Sequence, residues 1–314
     1  MFNMNVYLTL TLGIAFAGLG GELFVRGSVG LAHWARITPA LIGVTVAAFA
    51  TSTPEMFVAI SSALEGVPEI AVGAAIGSNV VNVALILGLA LLVSSIQSSR
   101  GRLKRDYPVA LGMPLITALL LFDNELSRID GVVILLIFSG WLAAVAREAH
   151  LQRSADTDLH LTMRTWMIVL SCLSGLALLI AGGQLIVSGA TGIAQAFGID
   201  AFIVGATIVA LGTSAPELAT AIVASMRGHD TLGLGTIIGS NIFNGAFIVG
   251  IAAVLHPATT QWHEVALTLS VGFVSMLLIY PSAGGFIERK RGFLLLLLYG
   301  FYIVMLMRTQ TVAG

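Results

Sequence analysis

Ten stretches of this chain are apolar for long enough to cross a lipid bilayer, and that feature removes most folds from consideration. They run roughly over 5–30, 38–64, 70–94, 107–123, 130–147, 165–192, 200–226, 231–256, 263–281 and 293–309. A membrane helix needs about 20 mostly apolar residues. In hydrocarbon every backbone N–H and C=O must be satisfied internally, so runs of this kind are read as helices. The chain is 57% hydrophobic and only 10% charged, where soluble domains carry about 25% charged residues. The fold class is therefore an all-α polytopic membrane protein whose constant partner is the lipid bilayer. The first apolar run continues past Val25 without a charged segment before it, so it reads as a retained span rather than a cleaved signal. A net charge of −1 offers no footprint for nucleic acid. Cys172, alone in an apolar run, has no partner for an internal disulfide and is expected to be a small buried packing residue.

The basic residues test the count. With ten spans and both termini outside, the inner connections hold Arg26, Arg36, Arg100, Arg102, Lys104, Arg105, Arg147, Arg153, Arg164, Arg227, Arg289, Lys290 and Arg291. The outer ones hold Arg128 and Arg308, a split of 13 against 2. Basic residues gather in cytoplasmic loops, and one miscounted span would scramble the downstream half. The expected location is the cell (inner) membrane, multi-pass, with the central connection cytoplasmic. Glu65, Glu69, Asp123, Glu125 and Asp130 fall outside, as solvated loop residues with some capacity to attract cations.

The two halves repeat at a constant offset of 162. Gly20-Gly21-Glu22-Leu23 matches Gly182-Gly183-Gln184-Leu185, and Thr51-Ser52-Thr53-Pro54-Glu55 matches Thr213-Ser214-Ala215-Pro216-Glu217. Ile76-Gly77-Ser78-Asn79 with Asn82 matches Ile238-Gly239-Ser240-Asn241 with Asn244. Each half holds five spans, an odd number, so the second copy enters the membrane in the opposite sense. The expected organisation is 1–148 as the first inverted repeat, with its motif over 43–82. A cytoplasmic connection follows over 149–163, and then 164–314 as the second repeat, with its motif over 205–244. Inverted repeats are a common plan of secondary transporters, whose site lies near the midplane between the halves.

Glu55 and Glu217 are the acidic residues placed deep in spans, where a carboxylate is expensive and marks function by default. Thr51 and Ser52 lie four and three residues before Glu55, on its helix face. Pro54 lacks an N–H and clashes with the preceding turn, so it is expected to free the Ala50 carbonyl, as Pro216 frees that of Gly212. Ser78 and Asn82, spaced i and i+4, come from the next span, with Ser240 and Asn244 as their counterparts. Gly73, Gly77, Gly235 and Gly239 permit close helix approach, and Asn79 and Asn241 either join the site or hydrogen-bond across helices. Glu22 is expected to pair with Arg26 at i, i+4. The donor set is all oxygen, which suits hard cations, Ca²⁺ or Na⁺ rather than Zn²⁺ or Cu²⁺. The six histidines fall near span ends or in loops.

These residues resemble the two α-repeats of the cation/Ca²⁺ exchanger superfamily, and within it the prokaryotic sodium/calcium exchangers. The match lies in Ala48-Phe49-Ala50-Thr51-Ser52-Thr53-Pro54-Glu55 with Gly77-Ser78-Asn79-Val80-Val81-Asn82. It recurs in Ala210-Leu211-Gly212-Thr213-Ser214-Ala215-Pro216-Glu217 with Gly239-Ser240-Asn241-Ile242-Phe243-Asn244. The resemblance implies ten helices, termini outside and four central ion sites. It implies Ca²⁺ and Na⁺ as transported substrates, with Glu55 and Glu217 as shared ligands. Thr51 and Thr213 would ligate through carbonyl and hydroxyl, and Ser52, Ser78, Ser214 and Ser240 through hydroxyls. Ala48 and Ala210 would offer carbonyls, and Asn82 and Asn244 would complete the middle site. The first and sixth helices would slide over the rest to alternate access. The chain departs from the archaeal pattern at Asn244, where an Asp is expected, so the site carries at most −2.

The implied function is antiport of Ca²⁺ against Na⁺ by a monomer without a cofactor. A proton/Ca²⁺ antiporter of the same superfamily is the first alternative, although those carry Gly-Asn where Thr-Ser stands here. An exchanger of another cation is the second, and a cation channel the alternative from another class, although channel filters usually form around an axis between subunits. An enzyme is not expected: no nucleophile–base set is visible, and the Gly-rich stretches lack a P-loop Lys.

Overall fold

A computed structural model describes residues 4–66, 68–97, 104–155, 164–196, 214–260, 262–282 and 284–313. Its helices are α1 (Met4–Ala35), α2 (Pro39–Thr51), α3 (Thr53–Leu64), α4 (Pro68–Val93), α5 (Asp106–Leu120), α6 (Arg128–Ala155), α7 (Thr165–Ala196), α8 (Ala215–Met226), α9 (Asp230–Leu255), α10 (Trp262–Leu278) and α11 (Arg289–Ala313). The helices α2 and α3 form one span bent by 48° at Ser52. Among the described residues seven helices are long and apolar enough to span a bilayer and the α2–α3 pair makes an eighth, while α8 and α10 are shorter apolar helices and 197–213 lie outside the described residues. Ala210 and Thr213, and the connection 156–163, lie there too.

The repeat is written into the elements. α3 and α8 have bounds 162 apart, and the turns after them both use a left-handed glycine, Gly66 (φ 81°) and Gly228 (φ 72°). Inside α4 the helix widens to π geometry over Val81–Leu87, and inside α9 over Phe243–Ile248. Another π stretch, Gly43–Ala47, lies in α2. Such bulges are rare and frequent at functional sites.

Burial separates helices that hydropathy makes look alike. In α4 and α9, 72% and 83% of the most apolar window is buried, against 22% in α6 and 17% in α11. α4 and α9 are the centre, and the others present apolar side chains such as Leu119 (74% exposed) and Leu297 (71%) outward, as a lipid-facing surface requires. α2 crosses α9 closely: a Cβ on Gly239 would lie 2.4 Å from the Val44 carbonyl, and on Gly235 2.7 Å from that of Ala40. Nothing among the described residues lies within 4 Å of a Cβ on Gly73 or Gly77.

α1 and α7 pack chiefly on each other. Gly13, Gly20 and Gly27 on α1 meet α7, and Gly175, Gly182 and Gly189 on α7 meet α1. A Cβ on Gly20 would fall 2.8 Å from Leu179 N, on Gly182 2.8 Å from Ala17 N and on Gly189 2.6 Å from Leu10 N. The antiparallel backbones therefore touch along their length, as small residues allow between membrane helices. Cys172 packs against Gly27 in this seam, half-buried rather than buried as expected.

Loop contacts sort the connections into two faces. On one, β1 (Ile96–Gln97) pairs antiparallel with β4 (Phe286–Ile287), Ser94 bonds Ser225 at 2.6 Å, and Thr38 N–H donates to Gln152 at 3.0 Å. There Arg105 bridges Asp106 and Glu148, each at 2.6 Å, and the Trp141 ring N–H also donates to Asp106. On the other, β2 (Glu125–Leu126) pairs with β3 (Ala258–Thr259), and Thr259 donates to Glu69. The first face gathers connections that follow odd-numbered spans and the second those that follow even-numbered ones, as alternating crossings require. The acidic residues of the second face do not converge. Glu69 serves Thr259, Asp130 caps Ser127, and Asp123 accepts from the Glu125 N–H.

Candidate cation site

The break in the second span falls at Ser52 (φ −84°, ψ 9°), two residues before the proline. α3 restarts at Thr53, which puts Pro54 in its first turn. There a missing N–H costs nothing, because first-turn donors have no intrahelical acceptor. Instead of disrupting a continuous helix, the proline helps to begin a new one. Glu55 then sits in that first turn, where the positive end of the helix dipole favours a carboxylate. Ser214 (φ −88°, ψ 11°), Pro216 and Glu217 repeat the arrangement at the start of α8.

The two half-helix starts exchange hydroxyls. Ser52 donates to Glu217 Oε1 at 3.0 Å, and Ser214 donates to Glu55 Oε1 at 3.4 Å. Each serine thus serves the carboxylate of the opposite half. The expectation that Ser52 shares a face with its own Glu55 is corrected by the bend, because i, i+3 geometry assumes an unbroken helix. Ser240 also donates to Glu217 Oε1, at 3.4 Å, and lies 3.5 Å from the Ala48 carbonyl, which in turn accepts from Thr51 at 3.3 Å. Glu55, Glu217, Thr51, Ser52, Ser214, Ser240 and Ala48 are brought together, and every one is at most 4% exposed.

Asn82 and Asn244 lie in the two π stretches of the central helices, buried at 1% and 0% exposure. Among the described residues, Glu217 Oε2, Asn82 Oδ1 and Asn244 Oδ1 have no hydrogen-bond partner. Buried polar atoms are nearly always satisfied, and unpartnered oxygens such as these, the Asn79 and Asn241 oxygens among them, are of the kind a cation would take. Ser78 is half-buried, one turn before Asn82. Asn79 and Asn241 are structural: each side-chain amide donates to the other's backbone carbonyl, at 3.1 and 3.3 Å, and clips α4 to α9.

One polar residue escaped the sequence reading. Thr220 follows Glu217 by three residues, is fully buried, and its hydroxyl has no partner among the described residues. The signal was a polar residue at i+3 from a motif carboxylate, but its repeat counterpart Val58 is apolar and 41% exposed, which hid it from the repeat comparison.

Two grooves approach the site from opposite faces. One, of about 780 Å³, runs between α1 and α8 from Ala215 to Glu22 and Arg227. The other, of about 600 Å³, runs between α3 and α7 past Pro54, Pro216 and Gln184. The repeat exchanges them, since Glu22 and Gln184 are counterparts. Glu22 pairs with Arg227 at 2.8 Å and not with Arg26 as expected, because the end of α8 brings Arg227 across the groove mouth.

The site offers carboxylate, hydroxyl, amide and carbonyl oxygens, a set for a hard cation. Among the described residues no group of three or more His, Cys, Asp or Glu could hold a metal, so neutral oxygens must complete any coordination shell around the two carboxylates.

Comparison with known proteins fits this geometry. The profile of the sodium/calcium exchanger protein family matches residues 5–146 and again 167–308, two segments offset by 162 like the repeat itself. A putative antiporter, CaxA of Alkalimonas amylolytica, is 34% identical over 78% of this chain and 79% of its own. The inner membrane protein YrbG of Escherichia coli is 33% identical over 84% and 86%. The solved structure of the sodium-calcium exchanger NCX_Mj, soaked with Na⁺ and Sr²⁺, aligns with a TM-score of 0.82 at 29% identity, covering 96% of this chain and 98% of that one. With both five-helix halves matched by one family profile and the whole bundle by one fold, this chain belongs to the sodium/calcium exchanger family.

Proposed function

We propose that the protein is a secondary antiporter that exchanges Ca²⁺ for Na⁺ by alternating access at the site between α3 and α8. The observation that carries this reading is the reciprocal pair of Ser–Glu contacts at two opposed half-helix starts. It supports one midplane site shared equally by the halves, with a groove leading to each face. In this reading Glu55 and Glu217 are the charged ligands and Asn82 and Asn244 the neutral ones at the middle. Thr51, Thr213, Ser52, Ser214, Ser78, Ser240, Ala48 and Ala210 line neighbouring positions. Both copies of the motif lie in one chain, which supports a functional monomer without a cofactor.

The backbone seam of α1 and α7 supports their moving together over the bundle, closing one groove as the other opens. The distribution of basic residues supports termini outside and a cytoplasmic central connection at the cell (inner) membrane. With two carboxylates, Ca²⁺ brings the site to 0 and three Na⁺ to +1. Exchange of three Na⁺ per Ca²⁺ would therefore be electrogenic.

Uptake of ⁴⁵Ca²⁺ into everted vesicles, driven first by a Na⁺ gradient and then by a proton gradient, tests the counter-ion. The expected result is uptake with Na⁺ alone. Equal uptake on a proton gradient would replace this reading by that of a proton/Ca²⁺ antiporter, and unitary currents in planar bilayers by that of a channel. A reversal potential fitting two Na⁺ per Ca²⁺ would defeat the 3:1 ratio.

A further inference from the structure

The face that carries the odd-numbered connections holds a cavity of about 490 Å³ between the end of α1, the start of α7 and the turn from α8 to α9. Its walls include Val25, Val29 and Met167, and its polar lining is Glu22, Arg26, His33, Arg227 and His229. The charges do not cancel. Glu22 is the one acid of the lining and is engaged by Arg227 at 2.8 Å. Arg26 is exposed and has no acidic partner among the described residues. A cavity with an uncompensated guanidinium repels the cations proposed as cargo, so it does not read as part of their route.

Its height in the membrane is marked independently. Trp34, near the end of α1, is 49% exposed, and Trp166, at the start of α7, is 60% exposed. Exposed Trp residues at span ends sit at headgroup level. The basic groups are therefore at the interface, with Val29 and Met167 beside them as apolar walls.

The repeat supplies a control. At the opposite face the described positions equivalent to Arg26 and Arg227 are Ser188 and Glu65. The fold therefore accepts neutral or acidic residues at these positions, and the basic set belongs to one face for a reason other than packing.

We propose that this cavity binds the headgroup of an anionic phospholipid. Its phosphate would be held by Arg26 with His33 and His229, and an acyl chain would lie along Val29 and Met167. Arginine matches phosphate oxygens with two parallel donors, and basic pockets between membrane helices take anionic headgroups. A lipid bound here touches α1 and α7 on one side and the α8–α9 turn on the other, so it links the helix pair to the rest of the bundle.

Native mass spectrometry of the full chain, released from detergent with phosphatidylglycerol or phosphatidylcholine of identical acyl chains, tests the proposal. The wild type should retain phosphatidylglycerol at about tenfold lower concentration than phosphatidylcholine, the scale of one charge-assisted contact. Arg26→Ala combined with His229→Ala should bring the two lipids level, while Arg308→Ala, at the opposite face, should leave the preference intact. Millimolar inorganic phosphate should not displace the lipid. Should the double variant fail to fold, brominated phosphatidylglycerol should still quench wild-type Trp fluorescence more than brominated phosphatidylcholine does. Equal retention of both lipids by the wild type, an unchanged preference in the double variant, equal quenching, or displacement by free phosphate would each overturn the proposal.

Discussion

Replacing Glu217 by Gln separates what the carboxylate does for the ion from what it does for the fold. Glu217 is fully buried, accepts from Ser52 at 3.0 Å and Ser240 at 3.4 Å, and is in no ion pair among the described residues. A hydrogen bond to a charged group contributes ~1.5–3 kcal/mol and a neutral one ~0.5–1.5. Gln retains a carbonyl that both hydroxyls can reach, so the variant loses roughly 1 kcal/mol per bond, or about 2 in all. Against this stands the cost of an ionised carboxylate at membrane depth, ~2.5–3.5 kcal/mol on insertion scales, which Gln removes. The two nearly cancel, so Glu217→Gln should be as stable as the wild type without Ca²⁺, or about 1 kcal/mol more stable. Calcium should then distinguish them. At a hundred times its Kd, a ligand that binds only the folded state stabilises it by ~2.7 kcal/mol. The wild type should gain that amount and the variant almost none. Thermal unfolding in detergent, followed by Trp fluorescence with EGTA or a Ca²⁺ series, measures both quantities, and ⁴⁵Ca²⁺ flux should be abolished in parallel. Undiminished stabilisation by Ca²⁺ in the variant would remove Glu217 from the site. A loss of more than about 3 kcal/mol in EGTA would show that the carboxylate holds the halves together, contrary to the reasoning from its burial.

Further perturbations test other parts of the argument. Ser52→Ala and Ser214→Ala remove the reciprocal contacts and should each weaken Ca²⁺ affinity about five- to tenfold, near 1 kcal/mol, read from the concentration dependence of flux. Unequal effects would deny the twofold equivalence of the site. Gly182→Leu sets a Cβ 2.8 Å from Ala17 N and should separate α1 from α7, lowering the yield of folded protein on gel filtration. Gly140→Ala, with nothing among the described residues within 4 Å, should instead add about 0.5–1 kcal/mol to helix stability. Asn244→Asp puts a third ionisable carboxyl into a fully buried position of the central helix. Flux should then match the wild type at low pH, where the new group is neutral, and diverge as pH rises; a parallel pH profile would place Asn244 away from the carboxylates. Asp106→Ala leaves Arg105 (17% exposed) with Glu148 alone and strips Trp141 of its acceptor, which should cost about 3 kcal/mol by denaturation.

Much of this molecule is legible along the chain because membrane folding writes its rules locally. A span must be apolar for its whole length, so ten spans can be counted before any contact is known. An odd number of spans per half obliges inversion, so the repeat at 162 implies opposed copies of Ser52-Thr53-Pro54-Glu55 and Ser214-Ala215-Pro216-Glu217. The oxygen character of the site follows from residue types alone. Sequence reasoning is weaker where it leans on helix faces. Ser52 looks like a neighbour of Glu55 only while the helix is taken as continuous. Once the chain bends at Ser52, its hydroxyl serves Glu217, and the proline becomes a first-turn residue rather than a defect.

By itself, then, the sequence determined the number of spans, their inversion and which oxygen-bearing residues the candidate site can draw on. The tertiary structure alone decided which helices are central, which serine meets which carboxylate, and that Glu22 joins Arg227 instead of Arg26. The physical reason is that in a bilayer the outside is as apolar as the inside. The hydrophobic pattern that marks buried faces in water therefore vanishes, and α9, 83% buried, reads much like α11, 17% buried. Which polar atoms converge in such a medium depends on where the backbones bend and touch, and that is settled only when the two halves pack.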